Sequence, residues 1–519
     1  MEDQRYPIGI QSFPKIITQG YTYVDKTGYI KRLLKHGQYI FLSRPRRFGK
    51  SLLLSTLEAF FKGHRELFKG LAADSIDFDW TPSPVLRFDF NSENFSLENG
   101  LELLLDGLLR DFEEIYGRRP EDDTPAQRFR SLIRAAFNKT GRKVIILVDE
   151  YDKPLLEIED DPEKLEKNLK ILKSFFGNLK SMDDYIEFAF ITGVARFNKV
   201  SIFSDLNNLK DISMDNEYAD ICGWTEQELI DYFRPGIEQL SQEREEDFDT
   251  TLLAMRNYYD GYLFTPKGSR LYNPFSVLNA LASKEIDQFW FETGTPTFLA
   301  KRVKALGIAP MSMDNILATK EELVTVGFDL NNPVPLMFQT GYLTIGKAYT
   351  KENLYELRFP NNEVELGFFK NLLPLYVPAT GMMGNPFEFT QFKKDLLTGD
   401  ILNFMERLSS LFKDLPGEDH SESTYRAITY MLTLLCGTQS IAEHHSYKGR
   451  SDIEVITQRY IYIFEFKYNR SVREAMDQIY SRDYAGRYGV DHRKVFLIAA
   501  NYVEKKDDRK LEYKIEEIN

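Results

Sequence analysis

Cysteine is nearly absent from this chain: Cys222 and Cys436 are the only two in 519 residues. That excludes a disulfide framework and a thiolate zinc site, and the usage is that of a reducing compartment. No apolar run approaches bilayer-spanning length. The opening Met-Glu-Asp-Gln-Arg-Tyr-Pro lacks the basic and apolar regions of a secretion signal. A cytoplasmic protein without membrane contact is expected. Positive charge is also scarce, with 66 Lys and Arg against 79 Asp and Glu and a formal net charge of -13. That balance excludes a general basic coat for nucleic acid, so any such contact must be a local patch. Internal repeats and low-complexity tracts are lacking too. What is present, 43% hydrophobic and 28% charged residues, is a soluble globular composition with room for roughly two to four domains.

The most informative stretch is Tyr39-Ile-Phe-Leu-Ser-Arg-Pro-Arg-Arg-Phe-Gly-Lys-Ser51. Tyr39 to Leu42 reads as a buried strand, and Leu52 to Phe61 as an apolar-periodic helix. A loop joining them through Gly49-Lys50-Ser51 is the context of a phosphate-binding P-loop. Backbone N–H groups from Arg46, Arg47, Phe48 and Gly49 through Leu52 would face the phosphates of ATP. Lys50 would reach the β and γ oxygens, and the Ser51 hydroxyl would ligate Mg²⁺. The first glycine of the general pattern falls at Arg44 instead, and Arg44, Arg46 and Arg47 add positive charge.

A second strand, Val144-Ile-Ile-Leu-Val148, is continuously apolar, as a central parallel strand should be. It ends in Asp149-Glu150, where Asp149 can hold the Mg²⁺ shell and Glu150 can polarise the attacking water. A third strand, Glu187 to Gly193, ends near Thr192, a polar sensor of the γ-phosphate or simply a strand-end residue. Arg196 beyond it is either a solvated charge or a phosphate contact in cis or in trans, and the trans form requires a homo-oligomer. The lead-in Tyr21 to Leu34 packs either over the adenine or in the core. The capping box Thr225-Glu-Gln-Glu228 opens a helix. With Tyr258 to Tyr262 and Asn273-Pro-Phe-Ser276 it suggests a helical lid, closed by Phe289 to Gly294. Pro335 to Ile345 runs into a strand whose hairpin partner is Leu354 to Phe359. This is a winged-helix-like middle without a basic recognition helix.

In the last quarter a helix from Ser421 to Leu435 is followed by strands at 439–444, 452–456 and 460–467. Next come a helix over 472–487 and a strand over 494–500. Glu465 and Lys467, two apart on a strand, share a face. With Asp452 on the preceding strand they suit metal-assisted phosphodiester hydrolysis of DNA or RNA. The carboxylates of Glu422, Asp452 and Glu465 would hold Mg²⁺, and Lys467 would steady the water or the phosphate. Glu443-His444-His445 is read as incidental, since neighbours on a strand point to opposite faces.

Taken together, these motifs resemble a bacterial and archaeal family in which an AAA-ATPase-like domain is fused to a C-terminal PD-(D/E)XK nuclease superfamily domain. The resemblance is carried by Ile8 to Phe13, Tyr23 to Thr27, Phe41 to Ser51 and Val148 to Pro154. It continues through Tyr259 to Tyr262, Asn273 to Ser276, Thr340 to Thr344, Gly449 to Asp452, Glu465 to Lys467 and Gln478-Ile479. Arg-Pro-Arg-Arg-Phe-Gly-Lys-Ser is that family's own P-loop form. The resemblance implies ATP binding and a restriction-endonuclease-like C-terminal fold, without a biological role.

The expected architecture is α/β. Residues 1–294 form an AAA-type P-loop domain, a parallel sheet with a helical lid. Residues 295–390 form a helical, winged-helix-like connector, and 391–519 a nuclease-like domain. Catalysis is expected from Glu150, Asp452, Glu465 and Lys467. The expected function is an Mg²⁺-dependent ATPase whose nucleotide state controls nucleic-acid cleavage. The alternative is a slow-turnover switch or scaffold whose nuclease fold serves for binding.

Overall fold

The computed structural model describes residues 4–91, 93–158, 161–197, 202–203, 206, 208–290, 297–324, 332–377, 386–415, 420–442, 445–446, 449–505 and 508–518. The features expected at 291–294, 443–444 and 448 lie outside the described residues. Two compact units emerge, Met1–Gly294 with Asn315–Glu363, and Thr295–Asp314 with Val364–Asn519. No described helix is long and apolar enough to cross a membrane.

In the first unit, β1 (Tyr39–Ser43), β2 (Val85–Asp89), β3 (Val144–Asp149), β4 (Ile186–Gly193) and β5 (Lys210–Asp211) form one parallel sheet in the order β2-β3-β4-β1-β5. Every residue of β1 and β3 is buried, which is why both read as unbroken apolar runs. β4 lies between them, pairing Ser43 with Gly193 on one side and Val148 with Ile191 on the other. The strand ends carrying Ser43, Asp149 and Thr192 thus gather at one edge, outside the carboxyl ends of the strands, where open parallel sheets bind ligands.

Helices Glu226–Glu243, Phe248–Tyr259 and Pro274–Ser283 form the lid. The Thr225–Glu228 capping box is made in both directions. Trp224, Phe233, Met255, Tyr259, Val277 and Leu281 belong to the apolar cluster that holds these helices together.

The middle of the chain forms a three-stranded antiparallel sheet, β6 (Ile316–Thr319), β7 (Thr344–Tyr349) and β8 (Leu354–Arg358), in the order β6-β8-β7. The helix Val334–Thr340 that precedes β7 is buried from Pro335 to Thr340 and carries no basic side chain. The β7–β8 hairpin belongs to the first unit, whereas 295–314 and the chain from 364 belong to the second. The expected connector is thus divided between them. The reason is local docking: the Leu263 N–H donates to Thr344 Oγ1 at 2.7 Å, and Gly341 lies against the P-loop.

The second unit carries β9 (Gln439–Ala442), the short pair β10 (His445–Ser446) and β11 (Gly449–Arg450), then β12 (Ile453–Ile456), β13 (Tyr460–Tyr468), β14 (Lys494–Lys505) and β15 (Asp508–Ile518). Its main sheet runs β15-β14-β13-β12-β9. β13 and β14 are parallel, and the other neighbours are antiparallel. The helix Val472–Ser481 lies between β13 and β14 in the chain, and Gly486–Tyr488 is a separate short turn of 3-10 helix. The helix expected through 487 therefore ends six residues earlier. β15 escaped the sequence reading because it is a charged edge strand, Asp-Arg-Lys-Leu-Glu-Tyr-Lys-Ile-Glu-Glu-Ile. Such edges carry charges that discourage pairing with other chains.

Gly341 is held at φ 89, and a Cβ there would sit 2.7 Å from Pro45 Cβ and Cγ. Gly341→Ala should therefore destabilise the first unit by on the order of 2 kcal/mol. It should appear as a melting point lowered by several degrees, and an unchanged melt would mean that Pro45 gives way freely.

Candidate active sites

The P-loop sits at the mouth of a cavity of about 560 Å³. Arg46, Arg47, Phe48, Gly49, Lys50, Ser51 and Leu52 all line it, as do Glu150, Lys153, Lys26, Trp224 and Phe275. The helix Lys50–Phe61 begins at Gly49, φ 93, with no side chain capping its first turn. Its N-terminal N–H groups are thus available to an anion, reinforced by the helix dipole. Lys50 is buried, and its Nζ donates to the carbonyls of Arg44 and Pro45, both at 3.0 Å. Arg47 and Glu150, both lining the cavity, are non-glycine residues in the left-handed region, with φ of 70 and 51. Such strain persists where the surroundings over-determine it, commonly at functional sites.

Arg44 does not face the cavity. Its guanidinium is buried over the Phe264 ring at 4.3 Å. It donates to the carbonyls of Ser43 (2.9 Å), Ser213 (2.8 Å), Tyr218 (3.0 Å) and Ala219 (3.3 Å). Burial lowers its pKa to about 10, still far above neutrality. It is a cross-brace under the loop rather than added charge toward a ligand.

Asp149 is fully buried behind Ser51. Thr192 Oγ1 donates to its Oδ1 at 2.8 Å, which brings the β4 tip and the end of β3 together as the strand order requires. Burial raises the Asp149 pKa, opposed by the Ser51 and Thr192 hydroxyls. Oδ2 accepts no hydrogen bond, and Arg87 Nη2 stands 3.7 Å from it. Arg196 is not brought to the cavity. It is buried, ion-paired with Asp211, and its backbone N–H donates to Gln339 Oε1 at 2.6 Å.

In the second unit, the antiparallel register of β12 and β13 pairs Ile453 with Phe464, so Asp452 falls opposite Glu465 on the same face as Lys467. Asp452 Oδ2 accepts from the Phe466 N–H at 2.7 Å, and Arg426 Nε lies 3.3 Å from Oδ1. Lys467 Nζ donates to Glu465 Oε1 at 2.6 Å and to the Phe466 carbonyl at 2.9 Å. Burial, then the negative charge of Asp452, raise the Glu465 pKa to about 7 against the pull of Lys467. Glu465 Oε2 accepts no hydrogen bond. Gln478 Nε2 is turned to Tyr484, 3.2 Å from its hydroxyl. Glu422 acts on Glu465 as a negative charge that raises its pKa further. No group of three or more His, Cys, Asp or Glu side chains among the described residues forms a metal-binding cluster.

Asp149 Oδ2 and Glu465 Oε2 are buried carboxylate oxygens open to a further partner, an arrangement that a cation would satisfy. The oxygen donors Ser51 with Asp149, and Asp452 with Glu465, suit a hard ion such as Mg²⁺. In both places the residues fit.

Several participants were not foreseen. Asp152 is buried, and its Oδ2 accepts the N–H groups of Val194 at 2.9 Å and Ala195 at 2.5 Å. The Tyr151 hydroxyl donates to the Ala195 carbonyl at 3.0 Å and accepts the Phe197 N–H at 3.1 Å. The acidic Asp-Glu-Tyr-Asp run therefore splits its work: Glu150 lines the cavity, Asp149 is buried at the end of β3, and the last two residues clamp the segment after β4. Arg87, which bonds Glu58 Oε2 at 3.1 Å, had a visible signal, a charged residue inside the apolar run Val-Leu-Arg-Phe.

Comparison with known proteins gives two family matches. Residues 7–203 match a model described as a predicted AAA-ATPase, and 420–512 match the PD-(D/E)XK nuclease superfamily. The chain is also 34% identical over 515 residues to an uncharacterized protein in the vnfD 5' region of Azotobacter chroococcum mcd 1, covering 97% of each.

Burial lifts the Asp152 pKa from 3.8 to about 7, opposed by the Ala195 N–H. A carboxyl whose folded pKa is raised favours the folded state most at low pH, and this contribution is lost as pH climbs from about 4 toward 7. Asp152→Asn keeps an acceptor oxygen and removes the ionisation. Relative to wild type its melting point should gain by about 2–6 °C between pH 4.5 and pH 8. A constant offset across that range would show that Asp152 is ionised in the fold throughout.

Proposed function

The chain belongs to the family that joins a predicted AAA-ATPase domain to a C-terminal PD-(D/E)XK nuclease superfamily domain, and on that footing we propose an ATP hydrolase whose nucleotide state controls nucleic-acid cleavage. One observation carries this reading. In each unit a buried carboxylate with an open oxygen feels the charge of a buried lysine: Lys50 lowers the pKa of Asp149 through its field, and Lys467 donates directly to Glu465. In this reading the first unit carries the nucleotide chemistry, the second carries the cleavage chemistry, and the site of action is the cytoplasm.

In the first unit the uncapped N–H groups from Gly49 to Leu52 receive the phosphates, flanked by Arg46 and Arg47. Lys50 exchanges its loop carbonyls for phosphate oxygens. Ser51 and Asp149 would hold Mg²⁺, which supplies neutralising charge on the β and γ oxygens. Glu150, held at the cavity wall, accepts the proton of the attacking water. Thr192 keeps Asp149 in place. Arg196 serves the γ-phosphate, in cis or in trans within a homo-oligomer, only if its pair with Asp211 opens.

In the second unit Asp452 and Glu465 would hold the cation, with Glu422 adding negative charge. When bound, the cation would lower the pKa of the attacking water. Lys467 holds that water or the scissile phosphate of DNA or RNA, and Glu465 must be ionised to serve. Cation binding should therefore strengthen as pH rises toward about 7, the value to which burial lifts the cation-free Glu465, and level off above it, as read by Mn²⁺ titration at several pH values. A slow-turnover switch that uses the nuclease fold for binding is favoured by the internal cations already on both acids, Arg426 on Asp452 and Lys467 on Glu465.

Lys50→Ala should abolish tight MgATP binding, while Glu150→Gln keeps binding and loses phosphate release. Equal loss of binding in both would remove these roles. Lys467→Ala should leave nucleic-acid affinity within a few-fold and cut cleavage by on the order of a hundredfold. Asp452→Asn should lose both Mn²⁺ binding by calorimetry and cleavage. Assays on single- and double-stranded DNA and RNA, with and without ATP, decide between enzyme and switch. If no substrate is cut in either condition, the switch stands.

A further inference from the structure

Every residue of the Pro45–Phe48 segment is gripped from outside the P-loop. Pro45 meets Gly341. The Arg46 carbonyl accepts the indole N–H of Trp290 at 3.1 Å. The Arg47 guanidinium lies over the Phe275 ring at 4.6 Å. Phe48 packs edge-on to Tyr262, centroids 4.7 Å apart, and its carbonyl accepts the Gly223 N–H at 3.2 Å. Two of these grips, at Arg46 and Arg47, converge on a single group.

That group is Glu363, fully buried in the first turn of the helix Asn362–Tyr376. Its Oε1 accepts the N–H groups of Phe289 at 2.6 Å and Trp290 at 2.8 Å, and its Oε2 accepts the Ser276 hydroxyl at 2.7 Å. Trp290 thereby carries its indole to Arg46, while Ser276 adjoins Phe275, the ring under Arg47. Neither Glu363 nor Trp290 lines the cavity, whereas Arg46, Arg47 and Phe275 do. A buried carboxylate is costly unless its bonds are made, and the three donors that satisfy this one are neutral. We propose that Glu363 and Trp290 are positioning residues for nucleotide binding: they hold the Arg46–Arg47 segment in the strained form that presents it to the phosphates. This rests on the first unit binding ATP, and it names residues outside the P-loop on which that binding depends.

The left-handed φ of Arg47 is what the pair would hold. Without the indole donor the Arg46 carbonyl loses a partner and the loop can relax toward a commoner conformation. A pre-organised loop bears on affinity rather than on the chemical step, so the effect should fall on KM and not on kcat.

The test is calorimetric titration of the full chain with MgATP, beside steady-state phosphate release. Trp290→Phe keeps an aromatic ring against Tyr342 and removes the N–H together with part of the ring, and Ser276→Ala supplies the variant that leaves the indole in place. It should weaken MgATP binding about fivefold or more, raise KM in parallel, and leave kcat within twofold. Glu363→Gln retains an acceptor for both N–H groups and offers a donor to Ser276 Oγ, so it should bind within about twofold of wild type. Glu363→Ala should lose at least as much as Trp290→Phe. Ser276→Ala, a small change that spares the fold, should lose part of it. If Trp290→Phe and Ser276→Ala bind like wild type while Lys50→Ala loses binding, the positioning role is overturned and the P-loop reading stands. If wild type itself binds no MgATP, both fall together.

Discussion

A buried guanidinium held by backbone carbonyls governs the AAA-ATPase-like unit. Arg44 stands where a P-loop usually begins with glycine, and burying its charge is tolerable only because four backbone carbonyls surround it. Two of those carbonyls, at Tyr218 and Ala219, come from the turn just before Cys222, Gly223 and Trp224, which wall the cavity. The same cation that shapes the start of the loop thus fixes the opposite wall. Gly223 then closes on Phe48, where a Cβ would lie 3.1 Å from the ring. The loop is held as one part of a packed surface rather than as an independent flexible element.

Both candidate sites use the same electrostatic construction. A carboxylate is buried, which raises its pKa, and one oxygen is left open while hydroxyls or an ammonium occupy the other. In water such groups would be solvated and ordinary; inside, each is a strong demand for a cation or a proton. Asp152 and Glu363 show the contrasting use of a buried acid. All their acceptor work goes into neutral N–H and O–H groups, and they tie chain segments together. Burial alone therefore does not separate a candidate ligand-binding acid from a structural one. The identity of the bonding partners does.

Much was legible in the sequence because it depends on local order. The continuous apolar runs of β1 and β3 could only be central strands, and the Gly-Lys-Ser and Asp-Glu at their ends follow directly. The Glu465–Lys467 alternation is enough by itself to put both side chains on one face of a strand. Less was legible where residues distant in the chain decide. Phe-Glu-Phe-Lys predicts a face, but only the β12–β13 register sets Asp452 opposite Glu465. Glu422, in the right order along the chain, still does not join them in a cluster.

What the sequence determined by itself is the alphabet of each site: the loop, the acids, the lysines, and the strands and helices that carry them, since hydrophobic period and turn chemistry act over a few residues. What only the tertiary structure decided is which of those groups meet. Arg196, on sequence alone either a solvated charge or a phosphate contact, is paired with Asp211 across 15 residues. Trp290 looked like the end of a lid and sits on Arg46, 244 residues away in the chain. Hydrogen bonds and ion pairs reward proximity in space, and no periodicity in a sequence encodes a contact that distant.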